Sequence, residues 1–196
     1  MRCLVVTSLL AIAFPVGGHA QLPPPMPADH YYQVGIVIDA FDSRATVVSV
    51  TNTDAATASG QGLCINAYVT DPDNGSVRGC CSCPIGNNAS RAFSVRAIVV
   101  GAMPRPPFAV ELISSRILSG GQGICNAGTV ASDNLSRGMA ASLYTQLPIP
   151  NAKAPAALSR PLISSMLSDI PKDKLTTGCA PLLKNRNSEF CNSSCK

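Results

Sequence analysis

The sequence predicts a mainly β chain: an antiparallel β-sandwich or barrel-like domain with one short C-terminal helix, stapled by disulfides. Short β-branched runs separated by turn residues predict the strands. An even number of cysteines behind an export signal predicts the staples. A single late segment with helix-start and helix-end chemistry predicts the helix.

The first 20 residues, MRCLVVTSLLAIAFPVGGHA, carry one charge at Arg2, an apolar run from Cys3 to Val16, and small residues at Gly18 and Ala20. That order describes a secretory signal peptide, with cleavage expected after Ala20. The new N-terminus is then Gln21 rather than a lipid-accepting cysteine. Residues 21–30, QLPPPMPADH, hold four prolines that cannot donate ladder hydrogen bonds, and they read as an exposed lead-in. Residues 31–196 are expected to form one β-rich, disulfide-stapled domain. No later apolar run reaches the roughly 18 to 20 residues that span a bilayer, so no membrane insertion is expected once the signal is removed. The expected location is secreted, periplasmic or extracellular.

The chain has 15 Lys and Arg against 11 Asp and Glu. Losing Arg2 leaves 14 against 11, a mild excess with no basic run, which argues against nucleic acid as a partner. A protein or a cell-surface component is the kind of partner that remains, and no cofactor is expected.

From Tyr31 onward VGIVIDAF, ATVVSVTNT, GLCINAYVT, AFSVRAIVV and FAVELISSRIL read as strands by composition. The separators DSR, DAATASGQ, DPDNGS, GAMPRPP and SGGQG supply turn and loop chemistry. GMAASLYTQLPI and PLISSMLSD are further strand candidates. From Ile170, IPKDKLTTGCAPLLK predicts a short helix, with Pro171 suited to a first turn and Lys184 to a last one. Gly178 and Pro181 both disfavour its interior.

Three stretches carry a resemblance: ATVVSVTNT, the block GLCINAYVTDPDNGSVRGCCSCPI, and a tail in which NRNSEFCNSSC follows Cys179. Together they resemble a family of exported bacterial proteins of unknown function, of acidobacterial type. The resemblance spans roughly residues 46–195 and implies an architecture, with no activity, cofactor or catalytic residue to carry over. Pro181 departs from the uninterrupted helix end that the family leads one to expect.

Eight cysteines follow the signal: Cys64, Cys80, Cys81, Cys83, Cys125, Cys179, Cys191 and Cys195. All eight are expected in disulfides. If DPDNGS forms a six-residue loop, Cys64 falls opposite Cys83 on the paired strand, within disulfide reach. A two-residue turn at Asn74 and Gly75 sets Cys64 opposite Ile85 instead. Adjacent strand residues point to opposite faces, so Cys80 and Cys81 should bond to different elements, with Cys125, Cys179, Cys191 and Cys195 as the available partners. The competing chemical reading takes Cys80 and Cys83 as a CxxC redox couple or, with other cysteines, as metal ligands. Strand-like flanks and the lack of a βαβ pattern weigh against it.

Other constellations are thin. His30, at the edge of the lead-in, is the only histidine after the signal, which leaves a Ser-His-Asp or Cys-His site with one candidate imidazole. Asp71, Asp73 and Asn74 could offer oxygens to calcium, but their spacing is not that of an EF-hand, and a hairpin turn accounts for them. Asp39, Asp42 and Glu111 could supply a carboxylate pair for glycoside hydrolysis, although nothing singles out two of them. The chain has no tryptophan, which lowers carbohydrate readings further. An exported, non-catalytic structural or interaction module is the leading expectation, with an extracytoplasmic thiol-redox or metal-binding protein as the alternative.

Overall fold

The computed structural model describes residues 31–38, 46–53, 62–117, 125–147 and 156–184. The signal peptide, the lead-in, His30, Asp39, Asp42, Cys191 and Cys195 lie outside them. The elements are β1 (Tyr32–Val37), β2 (Thr46–Asn52), β3 (Leu63–Thr70), β4 (Val77–Ile85), β5 (Ser90–Ser94), the one-turn helix α1 (Val95–Ile98) and β6 (Phe108–Arg116). They continue with β7 (Met139–Leu147), β8 (Ala156–Pro161), β9 (Ile163–Ser164) and the helix α2 (Asp169–Lys184). The strands form two antiparallel sheets, ordered β4-β3-β6-β1-β9 and β5-β2-β7-β8. No ladder among the described residues joins one sheet to the other, so the fold is a sandwich and the barrel-like alternative falls.

Alternation places the core. In β2 Val48 and Val50 turn inward, and in β3 Leu63, Ile65, Ala67 and Val69 do the same from the opposing sheet. Their partners include Phe93, Phe108, Val110, Leu112 and Leu143. Burial of such side chains, each contributing about 1.5–3 kcal/mol, supplies the main driving force. A polar rivet crosses the same interior. The buried Gln33 amide on β1 donates to the Met139 carbonyl (2.7 Å) and accepts from Ala141 N–H (3.0 Å) on β7, so neither peptide group loses its partner.

β3 is buried along its whole length, because its outer face is covered too. Tyr68, Ile113 and Cys80 on that face pack against Leu175, Cys179 and Leu183 of α2 and against Ala127 and Val130 of the segment that leads into β7. Lys172, Leu175, Thr176, Cys179 and Leu183 fall on one side of α2 at helical spacing, which explains why this segment winds and docks as it does. The molecule therefore has three layers on this side: sheet, sheet, and helix with loop.

One strand reading changes, the helix forms where it is expected, and one strand had no signal in the sequence. AFSVRAIVV is not one strand: β5 ends at Ser94 and α1 follows, with Val95 and Ile98 one turn apart and both in the inter-sheet core. Tertiary burial overrides the β preference of Val95 and Ile98. α2 forms over the segment from Ile170 to Lys184 where a helix is expected, and it runs through Gly178 and Pro181 without a break. At Gly178 a Cβ would meet Val77 Cγ2 at 2.8 Å, so glycine lets the helix lie close to β4. Pro181 stands in the last turn, where one lost intrahelical bond is tolerated. β8, AALSRP, has weak strand propensity and is recruited as an edge by β7.

Candidate functional site

The hairpin of β3 and β4 carries the cysteine cluster, and its register decides what the cysteines meet. DPDNGS does form a six-residue loop, with Thr70 opposite Val77. Gly75 takes a left-handed φ of 62°, and Asp71 N–H closes the loop onto the Ser76 carbonyl at 3.0 Å. The ladder then slips by one residue: Val69 pairs with Gly79, leaving Arg78 as a bulge. From there Cys64 faces Pro84, and Ile65 faces Cys83.

That slip overturns the expected bond between Cys64 and Cys83. Cys64 lies on the outer face of β3 and is bonded to Cys125, with Cα atoms 5.4 Å apart. Cys83 points the other way, into the inter-sheet core. Cys80 is bonded to Cys179 of α2, with Cα atoms 5.8 Å apart. Cys81 and Cys83 are disulfide-bonded as well. Cys80 and Cys81 thus point to opposite faces, as strand geometry requires. Cys80 and Cys83 are also separated by the sheet, so they do not form a CxxC couple.

The staples act together with hydrogen bonds. Cys125 starts a loop that crosses the outer face, where the buried Tyr68 hydroxyl donates to the Ala127 carbonyl at 2.7 Å. Further along, Ser115 and Leu135 form a β-bridge. Beneath this cover Asn66 donates to the Ile113 carbonyl and to Ser115 Oγ, both at 3.1 Å, and accepts from Ser82 Oγ at 2.8 Å. The polar atoms are satisfied, as buried groups must be.

Glu111 is committed on the same face. Its carboxylate accepts from Tyr32 Oη at 2.5 Å and from Thr70 Oγ1 at 2.6 Å. The three residues come from β6, β1 and β3, and they tie adjacent strands together. Burial, above all, pushes the Tyr32 phenol well above its usual value, with Glu111 adding to the effect. Burial does the same to Tyr68, with a further contribution from the Glu111 charge. Both phenols keep their protons in the fold and lose them more readily when unfolded. Their contribution is therefore complete at neutral pH and is lost as pH rises beyond the ordinary phenol value near 10.0. A spectrophotometric titration should show tyrosine ionisation coupled to loss of near-ultraviolet circular dichroism above that pH. Ionisation of all four tyrosines with the fold intact would contradict the assignment.

The loop carboxylates are likewise engaged. Asp71 Oδ1 accepts from Asp73 N–H at 3.1 Å, Asn74 Oδ1 accepts from Ser76 N–H at 2.8 Å, and Lys174 of α2 donates to the Asn74 carbonyl at 3.0 Å. An ammonium on that carbonyl opposes a second cation, and the loop's oxygens serve the turn. Asp39 and Asp42 lie outside the described residues, so the carboxylate pair is not assembled from the structure. Among the described residues, no group of three or more His, Cys, Asp or Glu side chains could hold a metal ion.

One constellation had no signal in the sequence. Lys172, nearly buried, donates to Ser132 Oγ and pairs with Asp169 at 3.3 Å and Asp173 at 3.7 Å. Serine beside lysine can make a nucleophile and its base. Here the ammonium is the donor to the hydroxyl and is compensated by two carboxylates, an arrangement that pins the loop to the start of α2. Ser132 lies 37 and 40 residues from Asp169 and Lys172, a separation that no local pattern would reveal.

Comparison of the chain with protein-family models, with curated proteins and with solved structures finds no match.

Proposed function

We propose that this protein is an exported interaction module, a rigid cross-linked scaffold that works by presenting sheet edges and loops rather than by catalysis. The observation that carries the reading is the state of the cysteines: all six among the described residues are disulfide-bonded. Such bonds belong to an oxidising compartment, which supports a location outside the cytoplasm. Among the described residues no helix is long and apolar enough to cross a membrane. The thiol or metal alternative needs free sulfurs in residues 80–83, and its proposed couple is split between two faces of a sheet.

The test is the intact mass of the exported protein, with and without reduction, after alkylation, and under native conditions that retain metal. Four disulfides remove eight hydrogens and leave nothing to alkylate. A non-reducing digest should join the Cys64 peptide to Cys125 and the Cys80 peptide to Cys179. Readily alkylated thiols at Cys80, Cys81 or Cys83, or a bound metal, would overturn the proposal.

A further inference from the structure

Among the described residues, no strand pairs with half of one edge of β1, where the chain changes sheets. β8 ends at Pro161, which pairs with Ser142 in one sheet, and β9 begins at Ile163, which pairs with Val34 in the other. Leu162 between them is buried in the inter-sheet core. Continued by two residues, the register of β9 would set Pro161 opposite Ile36, but Pro161 belongs to the opposing sheet and has no N–H to give. Among the described residues, Gly35, Ile36 and Val37 therefore pair with β6 alone.

The alternation of an antiparallel ladder tells which groups are free. The Tyr31 carbonyl accepts from Ser114 on the β6 side, and the Tyr32 carbonyl accepts from Ser165 on the β9 side. Counting on by twos, Ile36 aims its N–H and C=O at the vacant side. Ile36 is 56% exposed, and Ile38 and Ile163 are 60% and 73% exposed. An unpaired, uncharged, apolar edge is a template for another strand.

Beside this edge lies a hollow of about 420 Å³, lined by Val34, Gly35, Ile36, Leu143, Arg160 and Ile163 among others. A smaller hollow continues it toward Ile38 and Leu158. Arg160 borders both, and among the described residues no acidic side chain lines either. The charge asks for an anion, which a second copy of this edge, bringing another Arg160, does not supply. We propose that the free edge of β1 binds an extended segment of a partner polypeptide, which adds a strand at Ile36 and places a carboxylate on Arg160. Main-chain bonds would give affinity and the apolar hollow would select side chains. This inference rests on the reading of the protein as an interaction module and names its surface.

The experiment selects octapeptides from a random phage-displayed library on the full exported chain, then measures synthetic copies by fluorescence polarisation. Enriched peptides should alternate apolar residues and contain Asp or Glu. Affinity should fall at least tenfold for Ile36→Pro, which removes the outward N–H while leaving the β1 to β6 bonds of Gly35 and Val37 in place. Arg160→Glu should weaken acidic peptides equally and favour their lysine-substituted versions. Circular dichroism and the disulfide map serve as controls for folding. Absence of any enrichment would overturn the inference. So would peptides that bind both variants as tightly as the parent, an outcome that keeps the interaction module but moves its site. A wild-type dimer in light scattering that Ile36→Pro splits would overturn it in favour of a second copy. The module reading itself falls on a different result, free thiols or metal in the mass measurement.

Discussion

Gly79→Ala is expected to destabilise the fold by about 3 kcal/mol, at the upper end of overpacking costs. A Cβ at this position would stand 2.1 Å from the Ile98 carbonyl oxygen and 2.6 Å from Val99 Cα. These are backbone atoms, with no side-chain rotamer free to relieve the contact. Moving them would break the bridge between Gly79 and Val99 and the bond from Val100 N–H to the Arg78 carbonyl at 3.0 Å. It would also pull Ile98 out of the core, where α1 is anchored. Gly79 directly precedes the cysteine pair, so the same displacement would disturb the strand that presents Cys80 and Cys81. For a domain of this size the loss corresponds to a melting temperature lower by roughly 6–12 °C. Gly86→Ala is the control, since its Cβ would meet nothing nearer than Ala89 Cβ at 4.0 Å. Equal melting temperatures for the two variants would refute the steric account.

The second large effect is expected from the double variant Cys80→Ala, Cys179→Ala, which removes one staple without leaving a free thiol. The bond spans 99 residues, and closing a loop of that size restricts the unfolded chain by an amount worth up to about 4.7 kcal/mol in the chain-entropy model. Removing native disulfides commonly costs 2–5 kcal/mol, and a loss of about 3 to 4 kcal/mol is expected here. It should be unevenly distributed. α2 retains Leu175 and Leu183 against the outer face but loses its covalent tie to β4, so its amides should exchange with solvent earlier than those of β3 and β6. Denaturant unfolding measures the total, and hydrogen exchange measures the distribution. A variant within about 0.5 kcal/mol of the parent, the low end of the net worth of a single hydrogen bond, would show that apolar packing alone seats the helix.

Much of the strand content is legible locally. β2, β3, β6 and β7 follow runs whose composition favours an extended chain, and the two-residue period alone places Cys80 and Cys81 on opposite faces. The turn at DPDNGS is legible too, because Gly75 supplies the left-handed conformation that the reversal uses. The slip at Arg78 is not. It comes from the other edge of β4, where the Arg78 carbonyl takes a hydrogen bond from Val100 and Gly79 rests on Val99, residues about 20 positions away. One residue of slip exchanges the faces of a strand, so the expected bond from Cys64 to Cys83 gives way to one with Cys125. The same holds for Glu111, whose role depends on Tyr32, 79 residues distant in the chain, and for α2, which tolerates Gly178 because Val77 needs the space. By itself, the sequence determined the β class, the main strands, one reversal and the opposed directions of neighbouring cysteines, because each follows from short-range sterics and a period of two. Only the tertiary structure decided the disulfide partners, the commitment of Glu111 and the edge at Ile36 that no other described strand pairs with, because these depend on registers and crossings set by contacts between distant parts of the chain.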